Sequence, residues 1–129
     1  MSFTEHIASV VADLNADGAI ASNAVATGLS LAVAAWPMGA AADPATMWDL
    51  FGLEVCAAAE ILHIGVPPAR PELGLVVDSR QLRLEMVRLV EALAAYLEAA
   101  TDGAGYPIDQ QLELHAAAVQ LKRAGGAVR

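Results

Sequence analysis

The chain predicts an all-α fold, a compact bundle of about five helices, from three observations. Hydrophobic residues make up 57% of the 129 positions and aromatics only 5%, with alanine dominant, which suits helices packed through small contact residues. Apolar positions recur at helical spacing between recognisable start and stop residues. Alternating β-branched runs, which a half-buried strand needs, are missing. At this length one domain with a real core is expected, with N-terminal helices over 3–35 and core helices over 44–124.

The first helix opens on Ser2-Phe3-Thr4-Glu5, a capping-box pattern, and places Phe3, Ile7, Val10, Val11 and Leu14 on one face. His6 lies off that stripe and reads as a solvated surface residue. Asn15 to Gly18 forms a turn. The second helix spans Ala19 to Ala35, where Ala21, Gly28 and Ala32 would let a neighbour approach closely. Trp36-Pro37 ends it, and Met38 to Ala42 is expected to be a loop.

Asp43 to Gly65 is the stretch around which the chain is organised. Asp43 is the expected N-cap, Pro44 the first helical residue and Gly65 the left-handed C′ residue. Trp48, Leu50, Phe51, Leu53, Val55, Ile61, Leu62 and Ile64 point in nearly all directions, the pattern of a central helix. Asp49, Cys56, Glu60 and His63 share one narrow arc, and Glu54 projects elsewhere. Carboxylates on a buried helix need a reason, so chemistry is sought here first.

The apolar, proline-containing stretch Val66 to Val77 is expected to lie against the bundle as a connector. Asp78 or Ser79 caps the fourth helix, whose Leu82, Met86, Leu89, Leu93, Tyr96 and Ala100 form a seam for a bundle or a helical partner. Glu85 with Arg88, and Arg88 with Glu91, have the spacing of surface ion pairs. Asp102 to Gly105 ends that helix. Tyr106-Pro107 opens the last one, with Ile108, Leu112, Ala116 and Val119 on one side, and Gly125-Gly126 is expected to stop it before a frayed tail.

The net charge is −8, and no Lys or Arg precedes Arg70 although seven Asp and Glu do. That balance argues against binding a nucleic-acid backbone. Solvated acids are the plain interpretation; the sharper one is that some meet a cation, either a metal or Arg80, Arg83 and Arg88. Ala19 to Ala42 is uncharged and long enough to span a bilayer, but it lacks flanking Lys or Arg, so no membrane association is expected. The single cysteine suits a reducing compartment, and a cytoplasmic protein is expected. In an Ala-rich helix, Cys56 reads as a small buried apolar residue. The second helix and the fourth-helix seam together make a homo-oligomer the expected assembly.

No nucleophile motif, phosphate-binding glycine loop or zinc spacing is present. Glu60-Ile61-Leu62-His63 has the Glu-x-x-His spacing of di-iron bundles, but the required second pair is absent, so His63 reads as a cap on the negative helix end. Leu50 to Leu62 resembles the first metal-binding helix of the all-α (MazG-like) nucleoside triphosphate pyrophosphohydrolases. Arg83-Leu84-Glu85-Met86-Val87-Arg88-Leu89-Val90 resembles the second, and Tyr106 to Asp109 the closing turn. The resemblance covers roughly residues 47–123. It implies Mg²⁺ held by Glu54, Glu60 and Glu85, and nucleotide phosphates met by Arg80 or Arg83. Ala57 and Arg88 stand where that pattern has carboxylates, so the implied chemistry is weakened, relocated to Glu60 or Asp49, or gone. The alternative function is a non-catalytic interaction or assembly protein that binds copies of itself or another chain.

Overall fold

The computed structural model describes residues 3–16, 19–65, 78–102 and 105–129. Five helices follow one another: α1 (Phe3–Asp13), α2 (Ala19–Ala42), α3 (Ala45–Ile61), α4 (Ser79–Asp102) and α5 (Ile108–Val128). Among the described residues there is no strand. The all-α bundle expected from composition and spacing is the fold. The capping box at Ser2, the end of the first turn and the Pro-rich connector lie outside the described residues.

Helix α5 packs on both α3 and α4, α2 packs on α3 and α4, and α1 lies across α2 and α4. Phe3, Ile7 and Val10 of α1, Leu29 of α2, Trp48 and Phe51 of α3, Leu82, Met86, Leu89 and Leu93 of α4, and Leu121 of α5 join one buried cluster. Small residues set the close approaches. A Cβ on Gly28 would stand 3.1 Å from Leu93 and 3.2 Å from Val10, so α1 and α4 both come down on α2 at that point.

Several expected helix ends shift. Helix α2 runs through Pro37 to Ala42 instead of stopping at Ala35, so Met38 to Ala42 is helix and not loop. Pro37 is exposed, and the helix carries it past the missing N–H because the residues on either side are tied to α3. Pro44, not Asp43, is the N-cap residue of α3, and no side chain caps that end. At the other end the left-handed position belongs to His63, at φ 57°, and not to Gly65. The His63 N–H donates to the Glu60 carbonyl at 3.1 Å, and the Ile64 N–H to the Ala59 carbonyl at 2.9 Å. Those two bonds make a Schellman motif with histidine in the usual glycine position. Asp78 caps α4 as expected, its carboxylate accepting from the Arg80 N–H at 3.1 Å.

Helix α5 departs most from expectation. It continues through Gly125-Gly126 to Val128, with Ala117, Ala118, Leu121, Ala124, Gly125 and Val128 buried. Ile108 and Leu112, placed on one side of the helix with Ala116 and Val119, are 76% and 66% exposed. Helix α3 likewise buries one face rather than all sides: Trp48, Phe51, Gly52, Val55, Ala58 and Ala59 go inward, while Leu50 and Leu53 stay exposed.

Candidate functional site: an arginine-lined cavity

The residues predicted for metal and phosphate separate into two groups. Asp49, Cys56 and Glu60 share an arc of α3 that faces solvent, and His63, exposed too, lies beyond the end of the helix. Cys56 is exposed instead of buried, and partial desolvation still pushes its thiol pKa up. His63 closes the end of α3, and its Nε2 lies 3.7 Å from a Glu113 carboxylate oxygen across the α3–α5 junction. Glu54 is half-buried and sits roughly 120° around α3 from Glu60 at about 100° per residue.

Glu85 is on α4, and no Cα of α3 lies within 8 Å of a Cα of α4. Among the described residues, no three His, Cys, Asp or Glu side chains group as a metal site would require. Glu54, Glu60 and Glu85 accordingly do not form such a group. Glu85 is instead a buried carboxylate, 7% exposed. One of its oxygens accepts from Gln81 Nε2 at 2.9 Å, and the other, also buried, has no hydrogen-bond partner. It lies inward of the surface where an ion pair with Arg88 was expected. Glu91 pairs with Arg129 rather than with Arg88.

The predicted phosphate contacts do come together. Arg80 and Arg83, on one side of α4, line a cavity of about 220 Å³ with Leu84, Val87, Val128 and Arg129. Helix α5 completes the cavity because it runs to Val128 without breaking at the glycines, which carries Arg129 back to α4. Three of the chain's seven basic residues thus line one cavity. Arg129 was missed because a frayed tail was expected there; the absence of proline after Gly126 is the signal that bore on it.

Two of these arginines also touch carboxylates outside the lining. Arg129 bonds Glu91, and Arg83 Nε lies 3.8 Å from Asp43 Oδ2. Asp43, expected to cap α3, is the link between the cavity and the α2–α3 corner. The same Oδ2 accepts from Trp48 Nε1 at 3.1 Å. Trp36 repeats this arrangement on the other helix, its Nε1 donating to Asp49 Oδ1 at 2.9 Å.

A second surface feature is apolar. Leu50 and Leu53 on α3 are 51% and 59% exposed, and Ile108 and Leu112 protrude from the adjoining α5. By length and composition Ile20–Ala42 would suffice to cross a membrane, yet Ser22, Asn23 and Thr27 are among its exposed residues. Comparison of the chain with protein-family models, with curated proteins and with solved structures found no match.

Proposed function

We propose that this protein binds a phosphate-bearing small molecule in the cavity formed by Arg80, Arg83 and Arg129, a nucleotide being the class to which the sequence resemblance points. The presence of three arginines in the lining of one cavity, beside Leu84, Val87 and Val128, carries the proposal. Guanidinium forks match phosphate oxygens in pairs and stay charged at every physiological pH. On a chain of net charge −8, such a cluster is also where an anion meets the least repulsion.

The cavity is below the roughly 300–1,000 Å³ typical of sites that enclose a drug-sized ligand. It would therefore grip the phosphate end of a ligand and leave a nucleoside outside. Calorimetric titration with inorganic phosphate, pyrophosphate and ATP at low salt is the test. Saturable binding that falls at least tenfold in Arg80→Ala supports the proposal, and binding of none of the three overturns it. Pyrophosphate release from ATP with Mg²⁺, lost in Glu54→Ala, would extend binding to hydrolysis.

The second function, an assembly protein that packs on copies of itself, is favoured by Leu50, Leu53, Ile108 and Leu112 on adjoining helices. A contiguous apolar patch in water marks an interaction surface, and these four are the large exposed apolar side chains of α3 and α5. Sedimentation at micromolar concentration is the test: a dimer that dissociates in Leu53→Glu and Leu112→Glu supports it, and a monomeric wild type removes it.

A further inference from the structure

We infer that Asp43 sets the affinity of the arginine-lined cavity by competing with the bound anion for Arg83; this rests on the binding function proposed above. Asp43 lies between the end of α2 and the Pro44 cap of α3, and its side chain is only 13% exposed. The indole N–H of Trp48 fixes Oδ2 at 3.1 Å. Trp48 is itself fully buried, so the carboxylate has an anchor independent of Arg83.

Arg83 is held less firmly. Its Nε is 3.8 Å from Asp43 Oδ2, beyond hydrogen-bond range, and that buried Nε has no hydrogen-bond partner. The guanidinium therefore stands between an internal carboxylate and the cavity without the paired, in-plane contact that would commit it to Asp43. An anion in the cavity and the Asp43 carboxylate draw on the same positive charge. Each weakens the hold of the other, and the low exposure of Asp43 limits screening by salt. Asp43 is thus a built-in anion that a ligand must outbid electrostatically. The cavity favours ligands with more than one negative charge, such as a phosphate dianion, over a simple carboxylate.

The two tryptophans supply a readout within the native protein. Trp48 bonds the carboxylate that faces Arg83, whereas Trp36 bonds Asp49, which has no ion pair among the described residues. Inorganic phosphate is titrated into the ¹⁵N-labelled wild type and into Asp43→Asn, and the two indole N–H resonances are followed. Asn keeps an oxygen that can accept from Trp48 and removes the charge, an NH₂ donor replacing the second oxygen.

The expected result is about tenfold tighter binding to Asp43→Asn. In the wild type, the Trp48 resonance should move along the binding curve while that of Trp36 moves less. Equal or weaker binding to the variant would overturn the competition and leave the binding function standing. An unmoved Trp48 resonance at saturation would overturn it too, and that measurement does not depend on the variant folding. Phosphate binding to neither protein would remove both the binding function and the competition.

Discussion

The indole of Trp48 occupies the space that a side chain on Gly39 would need: a Cβ built there would fall 2.0 Å from Trp48 Cε2. The relationship is reciprocal, since a Cβ on Gly52 would fall 2.0 Å from Trp36 Cδ2. Each of α2 and α3 thus offers a tryptophan and a glycine to the other, and each indole N–H ends on an aspartate, Asp43 or Asp49. Trp48 also meets Phe51 edge to face, with ring centroids 5.2 Å apart.

Alanine at the two glycines should therefore destabilise despite its better helix propensity. Gly39→Ala drives a methyl group into the fused ring of a fully buried side chain that has nowhere to move, an overpacking cost of about 1–3 kcal/mol or more. Gly52→Ala meets Trp36, which is half-buried and can swing outward, so its cost is the smaller. Urea unfolding of the two variants checks the order: Gly39→Ala should have the lower midpoint. The reverse order would mean that Trp48 is not the tighter knob.

This pairing also accounts for what the sequence revealed and what it hid. Helix existence was legible at all five places because helical spacing and turn residues are local signals. The extension of α2 through Pro37 was not, because a proline ordinarily ends a helix and only contacts with α3 carry the chain beyond it. The buried face of α5 was hidden for a related reason. Periodicity weights large apolar residues such as Ile108 and Leu112, whereas close packing against α3 and α4 selects Ala117, Ala118, Ala124 and Gly125. Arg80 and Arg83 were legible as neighbours on one helix. Arg129 joined them only through the course of α5, which no local pattern records.

His63 makes the end of α3 a test of backbone strain. An L-residue in the left-handed region is disfavoured by roughly 1–2 kcal/mol, and glycine is not. The side chain gives little in return, because its 3.7 Å approach to Glu113 is largely exposed. His63→Gly should be stabilising by about 0.5 kcal/mol, the strain relief being partly offset by the greater freedom of the unfolded chain. Thermal melts of His63→Gly and His63→Ala check it: glycine should melt above alanine, and alanine no higher than the wild type.

Cys56 has a pH signature. Desolvation favours the neutral thiol and raises its pKa, so at neutral pH the thiolate fraction is smaller than in a free cysteine. Alkylation by iodoacetamide should therefore be slower than that of a cysteine peptide near pH 8. The rate should climb with pH and approach the peptide's only above the ordinary thiol range. Equal rates at pH 8 would show that the folded chain leaves the thiol fully solvated.

Glu85 is a buried carboxylate among the described residues. A buried carboxylate with one oxygen bonded to Gln81 and the other unpartnered leaves its desolvation only partly offset. Glu85→Gln keeps an oxygen for Gln81 and removes the charge, so it should stabilise the fold at neutral pH by about 1 kcal/mol. Chemical denaturation of the two proteins measures that difference directly. Repeating the comparison with millimolar Mg²⁺ separates the two roles open to this carboxylate. Metal binding would stabilise the wild type alone and narrow or reverse the gap, because a ligand that binds only the folded state adds to its stability. A gap that Mg²⁺ leaves unchanged identifies Glu85 as a charge that the core tolerates without a cation.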